Sequence, residues 1–595
     1  MTSYHLTIGS QGYLIDVASY RKQAGDQFAG KQAVSTRLYS DLRDVEVWAQ
    51  QDWSQGRGGH RWDGSPRFAG GSGLNTLTPA QVQSGSAATA ITNWNPSPAV
   101  ATIRGGLVTY KSNLYWATAS GGTVYAWQAS SEGSAPGVLS IAGSSVGAIA
   151  VYKDAVWYGD GVGGKLWKFD PGAATFTLAT TLAGTPLGIN AMAVYLPSGT
   201  TRYLYVGCDY SAGAIVWQWD GTTATQLLTT ELASIAHMFV FDGKLYVAGF
   251  DAGGSGLLYR FDGTDWALVL VQPDNWIQSG AAFGASYYLG SGRDNRIWRF
   301  DGRTLVEVFA GSSPHGSPIR ALVAANGVLY AGAAASDTFR TLVASTDGEH
   351  WHELRPSGLV AAGSGGRGVR YLGSLNGTLY LAEELASGTG ATVYKLDPAS
   401  YNSSGTLETV RFDAELPSVD KAWRRVTVTH SPLASGQSVS VDYRLDGATS
   451  WTSLVSNNTV GSTTSTATFA NGTAGREIEL RYTLASGGTN TTIVKAVLVE
   501  YALVPDTRRE WQFDVLLEGT ASAPLRTRDG AVESLTGAQL SAALWTSRGT
   551  KGTVAFTDLD GSSYRVYFAD LVESVGKVGQ RDGWQTRARV KLVEA

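Results

Sequence analysis

A seven-fold repeat constrains this chain more than any other feature. An aliphatic residue followed by an aromatic leads a short strand, a Gly-rich turn follows, and a second strand ends in aromatic-Asp-Gly. The clearest copy joins Gly243-Lys244-Leu245-Tyr246-Val247-Ala248-Gly249 to Leu258-Tyr259-Arg260-Phe261-Asp262-Gly263. Copies start at Leu114-Tyr115, Val156-Trp157, Leu204-Tyr205, Leu245-Tyr246, Tyr287-Tyr288, Leu329-Tyr330 and Leu379-Tyr380. Their spacing of roughly 41 to 50 residues is that of propeller blades. About four short antiparallel strands use up that length, and one such sheet cannot bury both faces alone, so neighbouring copies must cover it. In Lys165-Leu166-Trp167-Lys168-Phe169-Asp170 and Arg296-Ile297-Trp298-Arg299-Phe300-Asp301 large residues fall on both faces, as a sheet packed between others requires. The Asp-Gly reads as a tight primed hairpin, because both residues tolerate positive φ, which makes these aspartates structural rather than catalytic.

At 595 residues the chain needs more than this one domain. Gly 73 against Pro 17, with 11% aromatic and 16% charged residues, is an all-β, turn-rich composition. Four segments follow. Residues 1–99 read as an N-terminal arm and linker, 100–405 as a seven-bladed β-propeller, 406–505 as a β-sandwich and 506–595 as a small α+β barrel-like domain that docks. The fold class is therefore mainly β. The arm carries Trp48, Trp53 and Trp62, too costly to leave in water, so it is expected to lie against the propeller or a neighbouring subunit. The Gly-, Ser- and Thr-rich stretch from Gly70 to Val100 reads as a linker. The sandwich shows in Val426-Thr427-Val428, Val439 to Tyr443, Glu477 to Tyr482 and Val497 to Tyr501, with a hairpin at Tyr443-Arg444-Leu445-Asp446-Gly447 beside Trp451. In the last segment Gly537 to Ser547 is the best helix, capped by Thr536 and burying Leu540, Ala543 and Leu544.

The chemistry the chain advertises is sparse. A net charge of −4 argues against a general nucleic-acid binder, since phosphate neutralisation needs a basic surface. One cysteine, Cys208, permits neither an internal disulfide nor a cysteine-rich zinc site. His350 and His352 would share a strand face but lack a third ligand. No nucleophile-elbow pentapeptide, phosphate loop or dinucleotide fingerprint occurs. Arg293, Arg296 and Arg299 cluster in blade five as the carboxylate-holding arginines of propeller sialidases would, but alternation equally places them on a solvated edge. Ser345-Thr346-Asp347-Gly348-Glu349-His350-Trp351 resembles a shortened sialidase Asp-box, itself a structural turn. Asp558-Leu559-Asp560-Gly561 begins like a calcium loop without its later ligands and reads as a turn. Arg587, Arg589 and Lys591 share one face of the last strand, either solvated or facing an acidic partner. No catalytic, cofactor-binding or metal-ligating residue is assigned, no cofactor is expected, and the chain reads as a non-enzyme. Recognition contacts are expected in the irregular loops, Pro197 to Thr201 of blade three, blade six, and Glu383 to Gly390 of blade seven.

The whole layout resembles minor tail proteins of tailed bacteriophages. The features that carry it are the arm with Tyr20-Arg21-Lys22, Val47-Trp48, Trp53 and Arg61-Trp62-Asp63, and the central propeller. To these are added the sandwich entered through Arg411-Phe412-Asp413 and Lys421-Ala422-Trp423-Arg424, and the ending Val554 to Gly561 with Val590-Lys591-Leu592-Val593-Glu594. The resemblance implies a virion component of the tail tip or baseplate. Such a part docks to other tail proteins through its end domains, forms a homo-oligomer in a symmetric assembly, and displays a propeller for host-surface attachment, with host glycan as a partner. Met1 to Leu6 contain no basic segment followed by an apolar run and no stretch reaches membrane-spanning length, so assembly is expected in the host cytoplasm. Two other readings are a carbohydrate-binding or glycan-cleaving propeller protein and an intracellular propeller scaffold.

Overall fold

A computed structural model describes residues 6–13, 21–26, 45–58, 61–91, 102–120, 123–129, 139–142, 146–170, 175–311, 318–333, 342–354, 366–385, 391–504, 507–518, 525–526, 531–550, 552–577 and 584–595. Seven four-stranded antiparallel sheets form a propeller. The seven repeat copies fall on its second strands: Asn113–Ser120, Ala155–Asp160, Tyr203–Tyr210, Lys244–Phe250, Ser286–Ser291, Val328–Ala333 and Thr378–Leu385. Each pair of successive blades shares an apolar cluster. Tyr205 packs with Leu245 between blades three and four, Tyr246 with Tyr287 between four and five, and Leu114 and Trp116 of blade one with Leu375 and Tyr380 of blade seven. That last cluster makes the arrangement a ring.

The turns differ from expectation in one respect. The primed hairpins join first to second strands, where Asp242 and Gly243 (φ 47° and 66°), Asn326 and Gly327, and Asn376 and Gly377 all have positive φ. After the third strands, by contrast, only the glycine of Asp-Gly does, with Gly263 at φ 107°. Those loops have four residues, and the Asp side chain organises them: Asp262 Oδ1 accepts the backbone N–H groups of Thr264 and Asp265, both at 2.9 Å. Asp301 does the same with Arg303 and Thr304, and the N–H of Thr304, then that of Arg303, hold its carboxyl at about 2. These aspartates are turn organisers, through side-chain hydrogen bonding rather than backbone twist.

The described parts of residues 1–99 do not form a separate arm and linker. Ser86–Ala90 forms the outer strand of blade seven, pairing Ala88 with Leu396 and Ala90 with Tyr394, so the ring is closed by chain that precedes blade one. Glu46–Gln50 pairs with Ile493–Val504, Gly70–Ser72 with Ser404–Glu408, and Val82–Ser84 with both Ile493–Val504 and Leu74–Asn75, all in the sandwich. Residues 92–100 lie outside the described residues. The tryptophans are covered by the sandwich rather than by the propeller: Trp53 is fully buried, Trp48 stacks on Phe412 at 4.6 Å, and Trp62 meets Trp48 edge-on. The two sandwich sheets, built on Ser438–Leu445 with Ile478–Ala485 and on Asp420–His430 with Ile493–Val504, enclose these residues with Val426, Val441, Leu480 and Val499.

The hairpin at Asp446-Gly447 carries an ion network. Glu479 accepts two hydrogen bonds from Arg444 at 2.7 and 2.9 Å, and the guanidinia of Arg444 and Arg481 lie 4.4 and 4.8 Å from the Trp451 ring. Glu479 is buried, and removing it strands Arg444 beside Trp451. Glu479→Ala is therefore expected to cost about 3 kcal/mol in denaturant unfolding. A change within about 0.5 kcal/mol would show that the pair merely decorates the sheet.

Propeller and sandwich meet at blade six. The Arg57 N–H donates to the Trp351 carbonyl at 3.2 Å, Arg57 pairs with Glu353 at 3.4 Å, and a Cβ on Gly56 (φ +72°) would stand 2.5 Å from the Trp351 oxygen. His352, 1% exposed, donates from Nε2 to the Ser54 carbonyl at 3.2 Å and accepts the Thr76 hydroxyl at Nδ1, 2.6 Å away. Burial drives its pKa down from 6.5 to about 4. Between those values the unfolded chain binds a proton that the folded one refuses, so stability present above pH 6.5 is lost as pH falls towards 4. The loss is on the order of 2–3 kcal/mol. His352→Gln, which can keep both hydrogen bonds, is expected to flatten the stability profile in that window relative to the parent; equal slopes would refute the assignment.

The C-terminal unit is a seven-stranded antiparallel sheet. Leu6–Ile8 pairs with Val554–Thr557 and Gln11–Tyr13 at one edge, Arg21–Asp26 with Thr507–Leu516 at the other, and the long strands Ser563–Lys577 and Trp584–Glu594 lie between. The edges are not joined by a pairing among the described residues. The helix runs Gly537–Gly549 with a Thr536–Gln539 capping box and buries Leu540 and Leu544. Ala543 is half-buried. Asp558 accepts the Trp511 Nε1–H at 3.0 Å and Asp560 the Ser562 N–H at 2.8 Å, so both organise a turn.

Candidate functional site

The innermost strand of each blade faces the ring axis, and the ends of all seven bound one cavity of about 620 Å³. The recurrent device is a β-bulge. In blades two to seven the register of the inner strand with the second strand skips Gly147, Asn190, Ala236, Gln278, Arg320 and Arg370 in turn, and blades three and seven each carry a further skip, at residues 187 and 367. Blade one skips two, Gly105 and Gly106. A bulge leaves its extra residue outside the ladder and re-aims it, and Asn190, Ala236, Gln278, Arg320, Arg370 and the three glycines line the cavity.

The ring of bulges is asymmetric. Gln278, Arg320 and Arg370 come from three consecutive blades, followed around the ring by glycines in blades one and two. Gly147 cannot be enlarged, because a Cβ would lie 2.0 Å from the Ile189 carbonyl oxygen. Asn190 is held from behind by Asp209, whose Oδ2 accepts the amide at 2.5 Å and the Ser234 hydroxyl at 2.6 Å, while Oδ1 takes the Ile235 N–H. Burial pushes the Asp209 carboxyl up, partly offset by these bonds, and the contacts clamp blade three to blade four. His237 stacks on Phe239 at 5.5 Å and its Nε2 lies 3.5 Å from the Tyr287 hydroxyl; burial takes its pKa to about 4, leaving it neutral at pH 7. Arg370 donates from Nε to the Tyr371 hydroxyl at 3.1 Å. None of the described residues lining the cavity is Asp or Glu. The wall carries two guanidinia, amides and hydroxyls.

The groups singled out from sequence lie elsewhere. Arg293 pairs with Asp274 at 3.6 Å, Arg296 with Asp294 and Glu307 at 3.1 and 3.3 Å, and Arg299 with Glu349, the first from a loop and the other two from the third strand of blade five. His350 and His352 are split: His350 donates to Asp347 at 2.6 Å in the turn, whereas His352 sits in the junction with the sandwich. Burial opposes ionisation of Asp347, but the His350 side chain and the N–H groups of His350 and Glu349 outweigh it and hold the carboxyl at about 2, which makes the Asp-box-like segment a structural turn. Arg589 and Lys591 are met by Asp514 and Glu510 of the neighbouring strand at 3.1 and 3.0 Å. Among the described residues no cluster of three or more His, Cys, Asp or Glu could hold a metal, and no helix is long and apolar enough to cross a membrane. The blade-seven loop 386–390 lies outside the described residues. The bulge residues were missed, although a signal exists: Ile189-Asn190-Ala191-Met192, Ile319-Arg320-Ala321-Leu322 and Val369-Arg370-Tyr371-Leu372 share an aliphatic residue, one variable position and then two blade residues at repeat spacing.

No family model matches the chain, and no curated protein matches it. Among solved structures it is similar to the extracellular domain of a hybrid two-component system protein from B. thetaiotaomicron (12% identity, TM-score 0.37), covering 53% of this chain and 40% of that one. It is also similar to virginiamycin B lyase from Staphylococcus aureus (10% identity, TM-score 0.39, 52% of this chain and 98% of that one). A third is BBS1N in complex with ARL6DN (12% identity, TM-score 0.38, 53% and 99%). The propeller assignment rests on the sheet pairing itself.

Proposed function

We propose that the chain is a structural component of a phage tail tip or baseplate, carried in the virion after assembly in the host cytoplasm. In this reading it is a non-enzymatic part of a symmetric homo-oligomer, docks to other tail proteins through its end module and presents the propeller for host-surface attachment. The supporting observation is the end module. Strands from both ends of the chain, Leu6–Ile8 and Trp584–Glu594, share one sheet, and that unit exposes Val532, Trp545, Tyr567, Val572 and Val575, large apolar residues of the kind that contact faces carry. The resemblance in layout described above points the same way. Val572→Glu with Val575→Glu is expected to leave melting unchanged and to cut incorporation into phage particles by about tenfold or more, read by mass spectrometry of purified virions. Particles devoid of this chain's peptides would sink the proposal. A second reading, a carbohydrate-binding or glycan-cleaving propeller, is favoured by the polar cavity at the ring axis.

A further inference from the structure

Three polar side chains on the inner strands of blades three, four and five line the axial cavity with their hydrogen-bonding roles already fixed by neighbours. The Asn190 amide donates to Asp209 at 2.5 Å, and the Ser234 hydroxyl donates to the same carboxylate at 2.6 Å. Each of the two keeps a side-chain oxygen that can only accept. Gln278 is set the other way: its Oε1 accepts the Trp276 Nε1–H at 3.1 Å, which leaves its amide N–H groups to donate. A ligand for this wall must both donate and accept, which a hydroxyl does and an ionised carboxylate or an ammonium group does not. Beside these groups Phe250, half-buried at the end of Lys244–Phe250, lines the cavity with its ring 4.9 Å from that of Trp276. We infer that the axial cavity binds a neutral sugar, a pyranose whose hydroxyls meet Asn190, Ser234 and Gln278 and whose apolar face lies on Phe250.

The cavity of about 620 Å³ lies within the roughly 300–1,000 Å³ of small-molecule sites, which pair aromatic lining with a few placed polar groups. Those groups are held before any ligand arrives. Asp209 takes the Ile235 N–H at 3.0 Å as well as the two side chains, so little side-chain freedom remains to be lost on binding. The ring itself does not call for amides at these positions, since glycine and alanine, Gly147 and Ala236, fill the equivalent bulges of blades two and four. On the other flank Gly105, Gly106 and Gly147 keep the wall free of side chains and leave room for the rest of the molecule. The inference rests on the carbohydrate-binding reading of the propeller and adds to it the place of the site and the neutral class of its sugar.

The test is a ligand-observed NMR titration of the full chain with D-glucose, D-galactose, D-mannose and N-acetyl-D-glucosamine, with inorganic phosphate as the anionic competitor. Saturable binding of at least one sugar is expected, undisturbed by phosphate. Asn190→Ala with Gln278→Ala should weaken it by about tenfold or more, and alanine at the same position of blade four shows that the ring tolerates it. Should the double variant melt early, Ala236→Phe decides instead: it keeps every hydrogen-bonding group, fills the cavity and is expected to abolish binding. Sugar bound equally well by the folded variants would overturn the axial site and leave the carbohydrate-binding reading standing. Binding of none of the four sugars would overturn both, and displacement of the sugar by phosphate would overturn the neutral class.

Discussion

Replacing Trp53 by alanine is expected to cost about 3–5 kcal/mol of unfolding free energy in the sandwich, as truncation of a fully buried tryptophan does in other cores. Trp53 is 0% exposed and belongs to the cluster that contains Val426, Val441, Leu480 and Val499 from both sheets. The gap left behind cannot close easily, because the segment that carries Trp53 is pinned on both sides. Asp52 accepts the Trp53 and Ser54 N–H groups at 2.8 and 3.0 Å, and Gly56 and Arg57 are fitted against Trp351 of blade six. Trp62, packed at the margin of the same cluster, is the internal comparison and should lose less than half as much. Calorimetry of the full chain reads the result as a lowered sandwich transition. A loss under about 1 kcal/mol for Trp53→Ala would mean that the N-terminal segment lies on the sandwich without being part of its core.

What the sequence shows and hides follows from where the packing energy sits. The blades are legible because each second strand carries its own large residues: Leu245 and Tyr246 are both buried, one towards blade three and the other towards blade five, so both faces write themselves into the repeat. The sandwich strands are legible for a similar reason, with Val439, Val441, Leu480 and Tyr482 alternating inward. The early strands are not. Gly70–Ser72 and Ser86–Ala90 are held by ladder hydrogen bonds to strands more than 300 residues away, and Gly-Gly-Ser or Ser-Ala-Ala-Thr-Ala carries no aliphatic alternation to announce it. Trp48 and Trp53 declared that they must be covered, but not by what, since Phe412 and Trp423 lie far along the chain. At the ring axis the difficulty is opposite in kind. Arg320 and Arg370 occupy a position that the backbone makes special through a bulge, whose trace in sequence is only an aliphatic residue ahead of one variable position at repeat spacing. Arg293, Arg296 and Arg299 form the more obvious cluster in sequence, yet neighbouring carboxylates already pair with them.

Ring closure supplies the second large effect. Ala88→Asp is expected to destabilise the propeller by about 3 kcal/mol or more, whereas Thr89→Asp, one residue along the same strand, should change it by less than about 0.5 kcal/mol. Successive residues of a strand face opposite sides of the sheet. Ala88 is 7% exposed and packs with Ala321, Leu342, Val369 and Leu381 between blades six and seven, so a carboxylate there is buried or expels the strand. Thr89 is exposed and pairs across the ladder with Lys395, which tolerates a carboxylate. Expulsion would do more than shorten one sheet. Blade seven would keep only the three strands Gly366–Leu375, Thr378–Leu385 and Ala391–Tyr401, with the outer edge of the last left unpaired. Blade seven also contributes Leu375 and Tyr380 to the cluster it shares with blade one, so loosening it weakens the seam that turns seven sheets into a ring. Equal melting temperatures for the two variants would show that Ser86–Ala90 decorates blade seven without closing the propeller.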